Sequence, residues 1–171
     1  MDDYDLNRSN PKNKSEGKKK MLTIILKNII AAPIERCFDL SRSIDLHVNS
    51  MASSKEKAIA GRKSGLINLN ETVTWKAKHF GINFTMTSKI TAMEKPNCFT
   101  DEMIKGPFRK LHHQQLFKSV NSGTEMTDIF EFGAPLGALG KLAESIILKN
   151  YMKNLLVQRN NVIKKEAEIY K

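Results

Sequence analysis

Cysteine is scarce. Cys37 and Cys98 are the only two, too few for a disulfide framework or a zinc site. Long hydrophobic runs are missing as well. The richest stretch, residues 29–34, holds five apolar residues and a proline, far short of the roughly 18 needed to cross a bilayer. Apolar side chains are almost absent from residues 1–20, which argues against a secretory signal. With the few cysteines, this leads to the expectation of a reducing cytoplasm. No Gly-x-Ser-x-Gly elbow occurs, and the run from Gly133 to Gly140 lacks the Lys and Ser/Thr of a phosphate-cradling loop. Metal-ligand spacing is missing too. The adjacent His112 and His113 on a strand point to opposite faces, while His47 and His79 fall on different elements. Neither a metal nor a cofactor is expected.

What is present describes one domain. The chain has 171 residues, 40% of them apolar and 27% charged, the balance of a soluble globular protein. Its net charge of +10 raises nucleic acid and anionic membrane surfaces as partners. That charge is spread out. Residues 1–20 carry six basic and four acidic side chains without apolar periodicity, and read as a disordered basic tail with at most a weak hold on an anionic surface. Residues 141–171 carry seven basic and three acidic side chains interleaved with an apolar stripe, as on any solvated helix. Aromatic residues do not interleave with the basic runs and arginines do not cluster, so no specific nucleic acid is expected.

From residue 21 the patterning predicts a strand, two short helices, a long run of strands and one long helix. Residues 22–30 are rich in Leu and Ile. Pro33 suits a first helical turn, after which Ile34, Cys37, Phe38 and Leu40 recur at helical spacing. Ser41 or Ser43 can cap a second helix with Ile44, Leu46, Val48 and Met51 on its apolar face. Residues 52–64 show no strong period and read as a mobile connection, placed to act as a lid. Period two then takes over. Val73, Trp75, Ala77 and His79 share one face, followed by Phe84, Met86, Ser88 and Ile90. A third strand carries Phe99, Asp101 and Met103, and a fourth, starting at Phe108, aligns Leu111, His113, Gln115 and Phe117. Past the hairpin signal Asn121-Ser122-Gly123, Met126, Asp128, Phe130 and Phe132 fall in phase. These five strands form an antiparallel meander. A helical stripe from Leu139 to Ala167 ends the chain and needs a concave surface to lie across.

Several motifs in this order resemble one superfamily. They are Trp75-x-Ala77-x-His79-Phe80-Gly81-Ile82, Asp101 ahead of Gly106-Pro107-Phe108, and His113 with Phe117. Thr127-Asp128 and Pro135-Leu136-Gly137 with Leu139-Gly140 complete the set. Residues 21–171 thus resemble the START-like, polyketide cyclase/dehydrase and lipid-transport superfamily (SRPBCC), in its bacterial ligand-binding branch. One departure is visible: Gln115 stands where relatives often carry a second histidine. The resemblance implies an α+β helix-grip fold, with a curved antiparallel sheet wrapped around a long C-terminal helix and two short helices after the first strand. It also implies a cavity between sheet and helix for a small apolar ligand such as a lipid, quinone or polyketide-like molecule.

Four polar residues, His79, His113, Gln115 and Asp128, fall in phase with apolar neighbours and need buried partners, because an unpaired polar group inside costs about 1–3 kcal/mol. His113 and Asp128 can satisfy each other. That pair has two readings, a structural bond between strands, which is favoured, and an acid/base dyad of a cyclase or dehydratase. Trp75, Phe84, Phe99, Phe117 and Phe130 supply the expected apolar contacts to a ligand, with the four polar residues orienting it. Binding or transport is the leading reading and catalysis the second. A surface module for RNA, a ribosome or an anionic membrane is the third.

Overall fold

The computed structural model describes residues 21–79, 81–133 and 146–169. The tail of residues 1–20 and the glycine-rich lead to the last helix lie outside them. Chain order is β1 (Met21–Ile30), α1 (Ile34–Ser41), α2 (Ile44–Ser50), a single 3-10 turn (Ala52–Ser54), then β2 (Lys57–Gly61), β3 (Thr72–His79) and β4 (Ile82–Glu94). There follow β5 (Cys98–Lys105), β6 (Leu111–Val120), β7 (Gly123–Gly133) and α3 (Ile146–Glu168). The strands form one antiparallel sheet in the order β1-β7-β6-β5-β4-β3-β2. Its concave face receives α3. This is the α+β helix-grip architecture.

One expectation is corrected. Residues 52–64 are not a mobile connection, since β2 pairs with β3 from Lys57 opposite Lys76 to Gly61 opposite Val73, with a register shift between Ala58 and Ala60. As an edge strand, β2 exposes every residue except Ala58, so it has no buried face to impose a period. The fourth strand of the meander also begins later, at Leu111 rather than Phe108.

Phase is obeyed elsewhere. On β6, Leu111, His113, Gln115 and Phe117 are buried while their neighbours are not. The β6–β7 turn is two residues long, with Val120 opposite Gly123. Gly123 has φ +128°, and a Cβ there would lie 2.1 Å from the Ile30 carbonyl oxygen, so only glycine lets β1 end against this hairpin. Ser43 caps α2 by accepting from the Leu46 amide at 3.2 Å.

Two packed clusters hold α3 on the sheet. Near its C-terminus, Ile163 and Ala167 pack with Phe38 of α1 and Phe99, Phe117 and Met126 of the sheet. Phe38 stands edge-on to Phe99 and Phe117, each at 5.6 Å between ring centroids, a geometry worth about 0.5–1.5 kcal/mol per pair beyond area burial. Near its N-terminus, Leu148 and Leu156 pack with Ile24, Leu111, Phe130 and Phe132. Arg36 of α1 donates to the Ala167 and Glu166 carbonyls at 2.8 and 2.7 Å, placing a cation at the negative end of α3.

Candidate functional site

Along the stretch from Leu148 to Arg159 the helix does not close fully on the sheet. The space left is a cavity of ≈180 Å³, walled by β3–β6, β7, α2 and α3. Its apolar wall includes Trp75, Phe84, Phe99 and Phe130 from the strands and Met152 and Leu155 from the helix. Period-two alternation turns the strand residues inward, and Met152, Leu155 and Leu156 form the matching helical row.

Six of the nine expected site residues, Trp75, His79, Phe84, Phe99, His113 and Phe130, line this cavity. The other three stand behind the wall. Phe117 is locked between Phe38 and Phe99 in the solid cluster. Gln115 and Asp128 are fully buried and reach the cavity only through His113 and Arg159.

Asp128 is the centre of a buried network. Its Oδ1 accepts from His113 Nε2 at 2.8 Å and Gln115 Nε2 at 3.1 Å, and its Oδ2 accepts from Asn160 Nδ2 at 2.6 Å. Burial pushes the Asp128 pKa up. The His113 hydrogen bond and charge, the Arg159 charge and the Asn160 bond outweigh it and hold the carboxyl below its ordinary value. An ionised carboxylate only accepts, so His113 Nε2 carries the proton. The 3.4 Å approach of Gln115 Nε2 to His113 Nε2 is therefore donor to donor and no bond.

A second polar group sits at the β3 side. His47 stacks on Trp75 with ring centroids 4.3 Å apart, and its Nε2 donates to Glu56 Oε1 at 3.0 Å. Burial raises the Glu56 pKa, but the His47 bond and charge with more distant His79 and Arg159 bring it below the ordinary range. His79 Nδ1 lies 2.7 Å from the Tyr151 hydroxyl. Burial lowers the His79 pKa against the opposing pull of Glu56, and burial raises that of Tyr151, so both stay neutral.

Sequence reasoning missed Glu56, Tyr151, Arg159 and Asn160 as site residues. A signal for the last two existed. Arg159 and Asn160 lie in phase with Leu156, Ile163 and Ala167 on α3, and a polar residue inside an apolar stripe is the same cue that singled out His113 and Asp128. Among the described residues no group of His, Cys, Asp or Glu is arranged to hold a metal ion, and no helix is long and apolar enough to cross a membrane.

By sequence, the chain matches no family model and no curated protein. Solved structures match it well in shape. A protein from Thermus thermophilus aligns at a TM-score of 0.69 and 13% identity, over 85% of this chain and 97% of its own. The Zhui aromatase/cyclase from a Streptomyces species aligns at 0.68 and 13%, over 87% and 94%. The chain has the helix-grip fold. The major latex-like protein 151 of Panax ginseng has it too, at a TM-score of 0.63 and 12% identity over 86% and 98%. At these identities the likeness fixes the helix-grip architecture, and chemistry has to be argued from this chain's own residues.

Proposed function

We propose that this protein binds, and as a carrier moves, a small apolar ligand of the lipid, quinone or polyketide-like kind, held between sheet and α3 in the cytoplasm. The single observation behind the reading is the cavity. It is bounded mainly by apolar and aromatic side chains and lies under a helix whose C-terminal part is packed into a solid cluster. A solvatochromic dye such as Nile red should bind saturably and be displaced by bulky apolar compounds. Leu155→Trp, which puts an indole into the void, should abolish uptake at near-parent stability. No saturable binding in the parent, or unchanged uptake in the variant, overturns the reading.

One observation favours a second reading, a cyclase or dehydratase. His113 lines the cavity with Nε2 committed to Asp128, the arrangement that fixes a tautomer and leaves Nδ1 without the proton. Turnover with a pH limb that disappears in His113→Ala would establish it.

A further inference from the structure

Arg159 is a buried cation with unused hydrogen-bonding capacity. It is 7% exposed and lines the cavity. Its Nη2 donates to the Ser41 carbonyl at 2.6 Å. Its Nη1 stands 4.0 Å from Asp128 Oδ1, too far for a hydrogen bond, and has no partner among the described residues. The Ser41 bond gives one end of the guanidinium a structural task and leaves the Nη1 end with none. Asp128 already accepts from His113, Gln115 and Asn160, so its charge is stabilised without a fourth donor. A guanidinium kept out of water with an N–H unmade is destabilising, and a leucine would fill the same stripe without that penalty.

The complementary group is Asp101. It sits directly opposite His113 in the β5–β6 register, and so on the same inward face. Its Oδ1 is buried and without a partner among the described residues, and the residue also lines the cavity. One charged donor and one carboxylate acceptor therefore remain without hydrogen-bond partners among the described residues, each beside His113. His113 adjoins Asp101 in register and shares with Arg159 the same oxygen of Asp128.

We propose that Arg159 and Asp101 form a polar subsite for the end of a ligand that pairs a carbonyl oxygen with a neighbouring hydroxyl. The carbonyl accepts from Arg159 Nη1, and the hydroxyl donates to Asp101 Oδ1. The local charges select this class over an anionic headgroup. Asp101 and Asp128 set two carboxylates next to the free N–H of Arg159, so a phosphate or carboxylate there would meet both of them, where a neutral hydroxy-carbonyl satisfies both orphaned groups. The inference rests on the cavity being a ligand site.

The test uses four one-ring compounds of one shape: butylbenzene, its benzylic alcohol, its terminal methyl ketone, and the β-hydroxy ketone bearing both groups. Affinities are measured calorimetrically on the full chain, with Arg159→Met and Asp101→Ala beside the parent. The β-hydroxy ketone should bind the parent about tenfold or more tightly than either singly substituted compound. Arg159→Met should erase the advantage of the ketone, and Asp101→Ala that of the hydroxyl. Four equal affinities in the parent overturn the subsite and leave the cavity reading intact, as does a ketone preference that survives Arg159→Met. If butylbenzene and the other three all fail to bind, the cavity reading falls first. Should Arg159→Met not fold, the parent series and Asp101→Ala decide the matter between them.

Discussion

Replacing Asp128 in two ways separates hydrogen bonding from charge in the buried network. Asp128→Ala strands three donors at once, His113 Nε2, Gln115 Nε2 and Asn160 Nδ2, and removes the anion nearest buried Arg159. Each stranded donor costs about 1–3 kcal/mol, and losing the anion 4.0 Å from Arg159, with which it shares no hydrogen bond, about 2 kcal/mol. The donors share one acceptor and relax together, so these costs overlap rather than add. A loss of about 4 kcal/mol is expected at neutral pH. Asp128→Asn keeps the shape. Its carbonyl oxygen still accepts from His113 and Gln115, while its new amide meets Asn160. That neighbour can turn its side chain over, because its Oδ1 has no partner among the described residues and is free to accept. Only charge is then lost, at about 2 kcal/mol. Converted at about 2–4 °C per kcal/mol for a chain of this size, melting should fall by about 12 °C for alanine and about 6 °C for asparagine. Calorimetry and urea titration measure both. Equal losses would refute the hydrogen-bond account, and an alanine variant melting with the parent would show that the network holds nothing together.

Phe117→Trp should cost about 1–3 kcal/mol by overpacking the cluster with Phe38 and Phe99, while dye uptake by the cavity survives; loss of uptake at parent stability would put Phe117 on the cavity wall instead. The pH dependence has two limbs. His79 is depressed in the folded state, so the unfolded chain binds its proton first and stability falls as pH drops below about 6.5. Asp128 and Glu56 are also depressed, and their contribution is complete above about pH 4 and lost as pH falls through their folded values. Denaturant titrations from pH 8 to pH 3 should show the upper limb flattened in His79→Gln and the lower one reduced in Asp128→Asn.

The fold was legible wherever one face of an element is buried. Strands β3 to β7 announce themselves because Val73-x-Trp75 or His113-x-Gln115-x-Phe117 alternate against a core, and α3 because its apolar stripe has nowhere else to go. Strand β2 gave no such signal, since Ala58 alone among its residues is even partly covered. The His113–Asp128 pair was legible because polar residues in phase with apolar ones demand a partner. Depth was not legible. Phase says that Phe117 and Phe84 both face inward, but not that Phe38 of α1 seals the first while the second opens on a cavity. Whether an inward residue meets another side chain or empty space depends on where the helix touches down, and that is a tertiary fact.

The contacts of α3 also explain what keeps the cavity open. Closing ≈180 Å³ of space would require α3 to move toward the sheet at its middle. At the C-terminal end of α3 the rings of Phe38, Phe99 and Phe117 act as a spacer, and on the other side Phe108 and Phe130 line the cavity itself, packed on buried Phe132. Collapse would also break bonds that fix the axis of the helix, from Gln158 Nε2 to the Ser50 carbonyl at 2.6 Å and from Arg159 to the Ser41 carbonyl. Both acceptors sit at the C-terminal ends of α1 and α2, where the last carbonyls lack intrahelical partners and need such donors. The two short helices thus hold the long one at a set height, α2 through Gln158 and α1 through Arg159. One end of its guanidinium is fixed to α1, which leaves the other free to face whatever enters the cavity. The bond from Arg159 to the Ser41 carbonyl thus serves twice, helping to fix the helix and leaving Nη1 turned to the cavity.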